Sequence, residues 1–501
     1  MPASRQLTRR DFLRLAGLVS ASAVVAACAP AYARLGGQPE PDLTGPLPLL
    51  GSAVFTALSR LTYGPRLAER ERAAEIGVAG WIEEQLAPET LDDRPAEVRL
   101  RQFETLTLSA ADLADRSAKL FDEVDRLSVP AELRQATLMR QVYSRRQLFE
   151  GLAEFWTDHF NISVEKGDCY FLKTVDDREV IRPHALGRFH DLLWASAHSP
   201  AMLTYLDNQA NVKDAPNENY AREVMELHTL SVNGGYTQRD VMELARALTG
   251  WSVKQHFWRG QFTFDPAQHD DQPKTVLGLV LAPDGQREAE RALDRLAGHP
   301  ATAEFIAAKL ARRFLGDTAP AAILEKARLA FENTHGDIKA VLRPILLDGL
   351  LGAGAAAAPK FKRPVNFIVS ALRQLDAETD GGPALHDYLA HMGQAYYGWP
   401  TPDGYPDRDA PWSGNLLPRW QFALALSRGE IKGTSFTPAL AATQAPEALT
   451  DELARLLLGQ PLPPAGRDGL LASLRAAGAS APQVPTIVAA GLLASPAFQW
   501  R

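Results

Sequence analysis

The chain has 501 residues, of which 46% are hydrophobic and 23% charged, the balance of a globular protein and not of a disordered or fibrous one. Its 60 acidic and 53 basic side chains give a formal charge of −7, which argues against nucleic acid as a partner, because such proteins carry a basic excess. Two cysteines are too few for a disulfide scaffold.

Residues 1–27 read as an export signal. Arg5, Arg9, Arg10 and Arg14 charge its start, and the run from Thr8 to Arg14 is similar to a twin-arginine motif. The apolar stretch from Leu15 to Ala27 is too short and small-sided for a comfortable membrane span. It ends in Val25-Ala26-Ala27-Cys28, which resembles a lipoprotein processing box. The expectation is cleavage before Cys28 and a lipid on its thiol, holding the chain to a membrane facing the periplasm or cell exterior. A plain cut near Ala27 and an uncleaved anchor are the alternatives. Losing four arginines and one aspartate moves the formal charge from −7 to −10. With Cys28 lipidated, Cys169 has no partner for an intramolecular disulfide. Because the twin-arginine route carries folded proteins, it modestly favours a bound metal. Residues 28–50, rich in Pro, Gly and Ala, read as a tether.

From residue 51 onward helical periodicity dominates. The pattern predicts helices over 53–61 and 66–86, a single long helix over 131–160, and further helices over 181–197, 219–230 and 239–248. It continues through 287–297, 301–315, 321–333 and 338–347, and closes with 363–375, 416–427, 449–458, 469–476 and 486–494. Strand signals are confined to 257–264 and 275–281, which together predict one hairpin inserted in a helical protein. The stretch 396–412 is dense in Pro, Gly, Asp and aromatics and reads as a long ordered loop of the kind that lines sites. Trp399, Tyr405 and Trp412 there either offer stacking surfaces to a sugar-like ligand or pin the loop to the core.

The densest polar stretch runs from Asn217 to His228. On a regular helix Asn219, Glu223 and Glu226 share one face, and His228 falls on the apolar side. His228 therefore reads as a hydrogen-bonded core histidine. The two glutamates either hold a cation with help from another segment, act as an acid/base pair, or pair with Arg222, which is four residues from both Glu218 and Glu226. A di-iron bundle wants Glu-x-x-His, and Glu226 stands where that histidine belongs. His159, beside Asp158 at the end of its helix, is a ligand, a general base or a cation favoured by the helix dipole. Asp207-Asn208 ends a segment that would present oxygens toward the Asn217 helix. Thr237 with Asp240 resembles a capping box, Glu243 with Arg246 reads as an ion pair, and His269-Asp270-Asp271 lies in a loop. Nucleophile-elbow, phosphate-loop, dinucleotide and His-Glu-x-x-His motifs are all absent.

Several of these motifs occur together, in order, in a known family. Arg60-Leu61-Thr62-Tyr63-Gly64-Pro65, Phe155-Trp156 through His159-Phe160, Pro200-Ala201-Met202-Leu203 through Asp207-Asn208, Asn217 through Glu223, Glu226-Leu227-His228, Ala245 through Trp251, and His269-Asp270 resemble the bacterial "domain of unknown function 1800" family. Leu493 through Gln499 fits as well, and Ser231 departs from the glycine usual there. The resemblance implies export and a mostly helical fold, and it brings no established activity. It also implies a partner, a second exported family that looks phosphatase- or sulfatase-like.

The expectation is a mainly α protein, one large multi-helical domain over 51–501 with at most one small β-hairpin. Its polar pocket is expected to use Glu223, Glu226 and His159 as catalytic groups. Asn217, Asn219, Arg222, Arg246, Asp207 and Trp251 are expected on the substrate, with His159, Glu223 and His269 as ligands of a divalent cation. Hydrolysis of an envelope substrate fits two acids and a histidine. The rival is a non-catalytic scaffold for another exported protein, whose Arg/Glu stretches are buried ion-pair networks. A cofactor protein is a third, weaker reading, motivated by the export route alone.

Overall fold

The computed structural model describes residues 52–118, 128–255, 259–352, 359–436 and 445–501. The signal with Arg9 and Arg10, the lipidation site Cys28 and the tether lie outside the described residues, as do 256–258 and 353–358. The described chain is mainly α-helical, as the periodicity predicts.

Helices Arg287–Ala297 and Ala321–Asn333 form over the predicted residues, and most others match within a few. The long helix predicted over 131–160 is two helices, Ser128–Tyr143 and Gln147–His159. Side chains replace the ladder at the break. Asp93 accepts from the Arg145 amide at 2.7 Å and from the Ser144 hydroxyl at 3.0 Å. The Gln147 amide donates to the Gln141 and Ser144 carbonyls at 3.1 and 2.8 Å. These bonds satisfy groups that a helix end leaves open, so the chain bends without stranding buried polar atoms.

Strands differ from expectation. The runs near 257–264 and 275–281 do not pair with each other. Lys274–Val276 folds back on Leu279–Leu281 through Leu277 and Gly278, both at positive φ (48° and 72°), the backbone of a two-residue hairpin turn. Phe262–Phe264 pairs instead with Trp251–Val253. A third ladder joins Glu378–Thr379 to Thr434–Ser435. Among the described residues there are thus three small antiparallel ladders where at most one was expected.

Buried apolar residues gather in two clusters. One holds Leu152, Trp156, Phe160, Phe189, Met225, Trp251 and Leu310. The other brings Tyr63 and Leu133 together with Phe367, Phe422, Leu453 and Phe498. Helix Pro364–Gln374 is buried along its whole length. It reaches back to the start of the fold: the Arg373 guanidinium donates to the Gly64 carbonyl at 2.9 Å. Arg70 closes the same contact from the other side, donating to the Arg455 carbonyl at 3.2 Å and to that of Leu456.

The loop after Tyr396 is fixed at both flanks. Asn161 donates to the Trp399 and Thr401 carbonyls at 3.1 and 2.7 Å, and Tyr205 donates to the Pro400 carbonyl at 2.9 Å. Trp399 packs on Tyr405 and Tyr405 on Trp412, with ring centroids 4.9 and 6.0 Å apart, so these aromatics pin the loop. Gly404 (φ +70°) lies so close to the helix Gln147–His159 that a Cβ there would sit 1.9 Å from the Asp158 carbonyl oxygen. Gly404→Ala must strain the backbone and push the loop outward, costing at least ~1 kcal/mol. Urea unfolding checks this, and an unchanged midpoint would show that the loop is not held at this point.

Candidate functional site

Most of the polar residues singled out from sequence are engaged in holding local structure. Asn217 caps the helix Glu218–Glu223, accepting from the Asn219 amide at 2.9 Å, and Asn219 donates to the Leu206 carbonyl at 3.1 Å. Arg222 pairs with Glu218 at 2.9 Å, and Arg246 with Glu243 and Asp270 at 2.9 and 2.7 Å. Thr237 and Asp240 form the expected capping box. Asp207, in the left-handed region at φ 60°, pairs with Lys166 at 2.8 Å. Trp251 is fully buried against His198 and Phe262. His269 is also fully committed: Nδ1 meets the Thr249 carbonyl at 2.8 Å and Nε2 meets Glu288 at 3.2 Å, which in turn pairs with Lys274. The expected metal set of His159, Glu223 and His269 is not assembled. Among the described residues no three His, Cys, Asp or Glu side chains converge where a metal ion could be held.

The helix that carries Glu223 changes character at its last residue. Val224–Thr229 is a π turn, in which Leu230 donates to the Met225 carbonyl at 2.8 Å and the Thr229 hydroxyl to the Val224 carbonyl at 2.6 Å, five residues back in each case. Such turns recur at functional sites. Glu226 and His228 both lie within it, and among the described residues no Arg222–Glu226 ion pair forms. The turn also places one of the last helical carbonyls, which the helix itself leaves without an amide, against His159.

His159 is the centre of what does converge. It ends the helix Gln147–His159 and is 1% exposed. Its Nε2 lies 3.0 Å from the His228 carbonyl oxygen. A carbonyl only accepts, so Nε2 carries the hydrogen and Nδ1 is the free base. Nδ1 accepts from the Lys309 ammonium at 2.8 Å. Burial, then Lys309 and His228, hold the His159 imidazole well below the usual histidine range, so it stays neutral. Burial also lowers Lys309 to about 8, against the opposing pull of Asp158, Asp407 and Asp403. Phe160, Trp156 and Phe305 wall the ring, with centroids at 4.6, 5.4 and 6.2 Å. His228 is buried in the same wall as expected, but neither of its ring nitrogens has a hydrogen-bond partner. Burial and Lys309 depress it to about 3.

Asp403 links Lys309 electrostatically to a second acidic group, Glu223. Glu223 is half-buried, and its carboxyl is raised above the ordinary range by burial, by Glu226 and by Asp403. Asp403 is held by the Trp399 indole at 2.9 Å and the Thr401 hydroxyl at 2.5 Å, and it acts on Glu223, Lys309 and Tyr205 alike. Burial and Glu226 raise the Tyr236 phenol. Arg222 offsets part of the rise at Glu223, but among the described residues neither Glu223 nor Glu226 forms an ion pair with an arginine, in contrast to the acids behind His159. There Glu154 pairs with Arg313 and Arg363 at 2.7 and 3.1 Å, and Asp158 with Arg363 at 2.6 Å. Asp407 pairs with Lys360 and Arg313, at 3.2 and 3.3 Å.

Sequence reasoning finds Glu223, Glu226 and His159 but misses Lys309 and Asp403. One signal for Lys309 exists: Phe305, Lys309 and Arg313 recur every four residues on the helix Pro300–Leu315, and so share a face. Phe305 and Lys309 meet His159 and Arg313 meets Glu154, five residues away on the opposing helix.

The chain belongs to the family described as "Protein of unknown function (DUF1800)", whose profile matches residues 56–500. No curated protein and no solved structure matches it.

A histidine kept neutral in the fold is protonated in the unfolded chain below 6.5, so the fold loses stability as pH falls from 6.5 toward 3. Each such histidine contributes up to about 1.4 kcal/mol per pH unit. His228→Leu removes a buried group without partners and should stabilise the chain by ~1 kcal/mol at pH 7.5, with a larger gain at pH 5. Equal gains at the two pH values in urea unfolding would show that His228 does not titrate in this way.

Proposed function

We propose that this chain is an exported lipoprotein of the cell envelope in which Glu223 and Lys309 carry out hydrolase-like acid–base chemistry at one site. One observation carries the reading. A lysine lowered to about 8 is hydrogen-bonded to a neutral histidine, and it lies in the field of the same aspartate that raises Glu223. Perturbed groups of complementary role at one site are what proton transfer near pH 7 requires.

The roles follow from the charge states. At neutral pH Glu223 is a carboxylate and takes the proton from an attacking water. Lys309 is an ammonium with one hydrogen committed to His159 and two directed elsewhere, and it steadies or protonates the leaving atom. His159 orients Lys309 and exchanges no proton. Glu226 and Asp403 give the site an acidic character, which suits a neutral or cationic polar substrate and disfavours an anionic one. No step passes through a metal, because His159 has already committed both ring nitrogens.

The scaffold reading keeps one observation in its favour: Glu154, Asp158, Asp407, Glu218, Glu243 and Asp270 are all capped by arginine or lysine. On either reading the proposed partners are the membrane, through a lipid on Cys28, and a second exported phosphatase- or sulfatase-like protein.

A panel of ester, amide and glycoside substrates tests the chemistry. Glu223→Gln and Lys309→Met should each lose about 100-fold or more in rate while remaining folded by circular dichroism. The rate should follow a bell in pH. Its acid limb lies above the ordinary carboxylate range, because Glu223 is raised, and its alkaline limb lies near 8, where Lys309 loses its proton. Lys309→Arg should move the alkaline limb upward. Turnover that is indifferent to these variants, or absent across the panel, favours the scaffold. For the address, Cys28→Ser should shift the chain from the membrane to the soluble fraction, and replacing Arg9 and Arg10 with lysine should retain it in the cytoplasm.

A further inference from the structure

A cavity of about 260 Å³ lies between the helices Ser52–Leu61 and Pro364–Gln374, on the far side of Tyr63 from the ion pairs of Glu154. Neither Glu223 nor Lys309 lines it. Liquid water takes about 30 Å³ per molecule, so this space is far larger than a structural water needs. Asn366, Ser370 and Gln374 recur every four residues and line one wall, with Lys362 just ahead of them and Arg501 opposite.

The chemistry of the lining is unbalanced. Lys362 is 5% exposed, sits 3.4 Å over the Phe498 ring, and its ammonium donates to the Ser370 hydroxyl at 3.0 Å. Among the described residues no acidic side chain pairs with it, and none lines the cavity. Burial, Arg501 and Arg419 all oppose its charge. Asn366 is 2% exposed, and neither end of its amide has a partner. Gln374 spends its NH₂ on the Leu457 carbonyl at 3.1 Å and leaves its oxygen without one. Arg501 leaves Nε and one terminal nitrogen without partners. Each of these is a cost that folding alone does not return. Four such groups at one cavity describe the complement of a ligand.

We propose that this cavity binds a small organic anion that also carries hydroxyl or amino groups. Lys362 and Arg501 meet its negative charge, the Asn366 amide donates and accepts on its polar groups, and the Gln374 oxygen accepts from it. The cationic lining excludes a cationic ligand, and the volume restricts the site to metabolite-sized molecules.

The test is thermal unfolding of the full chain against sn-glycerol 3-phosphate, citrate and inorganic phosphate, with glycerol as the uncharged control. At least one organic anion should raise the unfolding temperature saturably, and glycerol should not. Lys362→Met, which removes an unpaired buried charge and so does not threaten the fold, should abolish the increment. Asn366→Leu should raise the unfolding temperature of the free chain and weaken anion binding tenfold or more. Three outcomes overturn the proposal: no shift with any of the three anions, a shift that persists in both variants, or an Asn366→Leu chain less stable than its parent, which would mean that the amide is structurally satisfied.

Discussion

The buried pairing of Arg313, Arg363 and Lys360 with Glu154, Asp158 and Asp407 is the interaction on which the rest of the architecture hangs. Three cations meet three anions that come from separate parts of the chain: the helix Gln147–His159, the helix Pro300–Leu315, the entry to the buried helix Pro364–Gln374, and the aromatic loop. Burial alone would raise Glu154, and Arg313 with Arg363 hold it below its ordinary range instead. Such a cluster is weak evidence for stability, because its desolvation offsets much of its attraction. It is strong evidence for a fixed geometry, because removing any one member strands a charge. The consequence reaches one residue further: Asp158 precedes His159, so the pairs that hold Asp158 also set the end of the helix that presents the imidazole to Lys309.

Around that fixed end the molecule tolerates several energetically unfavourable features. His228 is buried with both nitrogens unpartnered, a π turn replaces a regular one, and burial lowers Lys309 to about 8. Natural sequences accept local violations of this kind at sites and offset them elsewhere. Their coincidence around His159 sets this site apart from the acids paired with arginine elsewhere. Glu218 and Glu243 satisfy every local rule, whereas Glu223 and Glu226 do not, although all four belong to the same two neighbouring helices and their continuations.

What could be read from sequence follows the range of the interactions. The helix Arg287–Ala297 is legible to the residue because its apolar stripe is local and unbroken, and the Thr237–Asp240 cap because its partners are three residues apart. The break at Ser144 is not legible, since it depends on Asp93, some fifty residues earlier. Glu223 and His159 announce themselves by composition. Lys309 does not, because a single lysine on an alanine-rich helix is ordinary until a histidine 150 positions away is known to face it. At His228 the wheel gives the right side and the wrong chemistry: the residue is buried, as its apolar face predicts, but its ring nitrogens find no partner. A helical wheel presumes 3.6 residues per turn, and it does not foresee the π turn over Val224–Thr229.

The contact of Arg70 with the carbonyls of Arg455 and Leu456, and of Arg373 with that of Gly64, closes the fold across almost its whole length. The second apolar cluster needs Tyr63 and Phe498 together. A ribosome-bound chain therefore holds its early helices without their packing surface until the last segment has emerged, and topologies closed by such distant contacts assemble slowly. A chain carried across the membrane after folding, as proposed here, then has a built-in checkpoint. Truncated or unfinished products lack the final strap, leave their N-terminal apolar faces open to quality control, and present nothing folded for export.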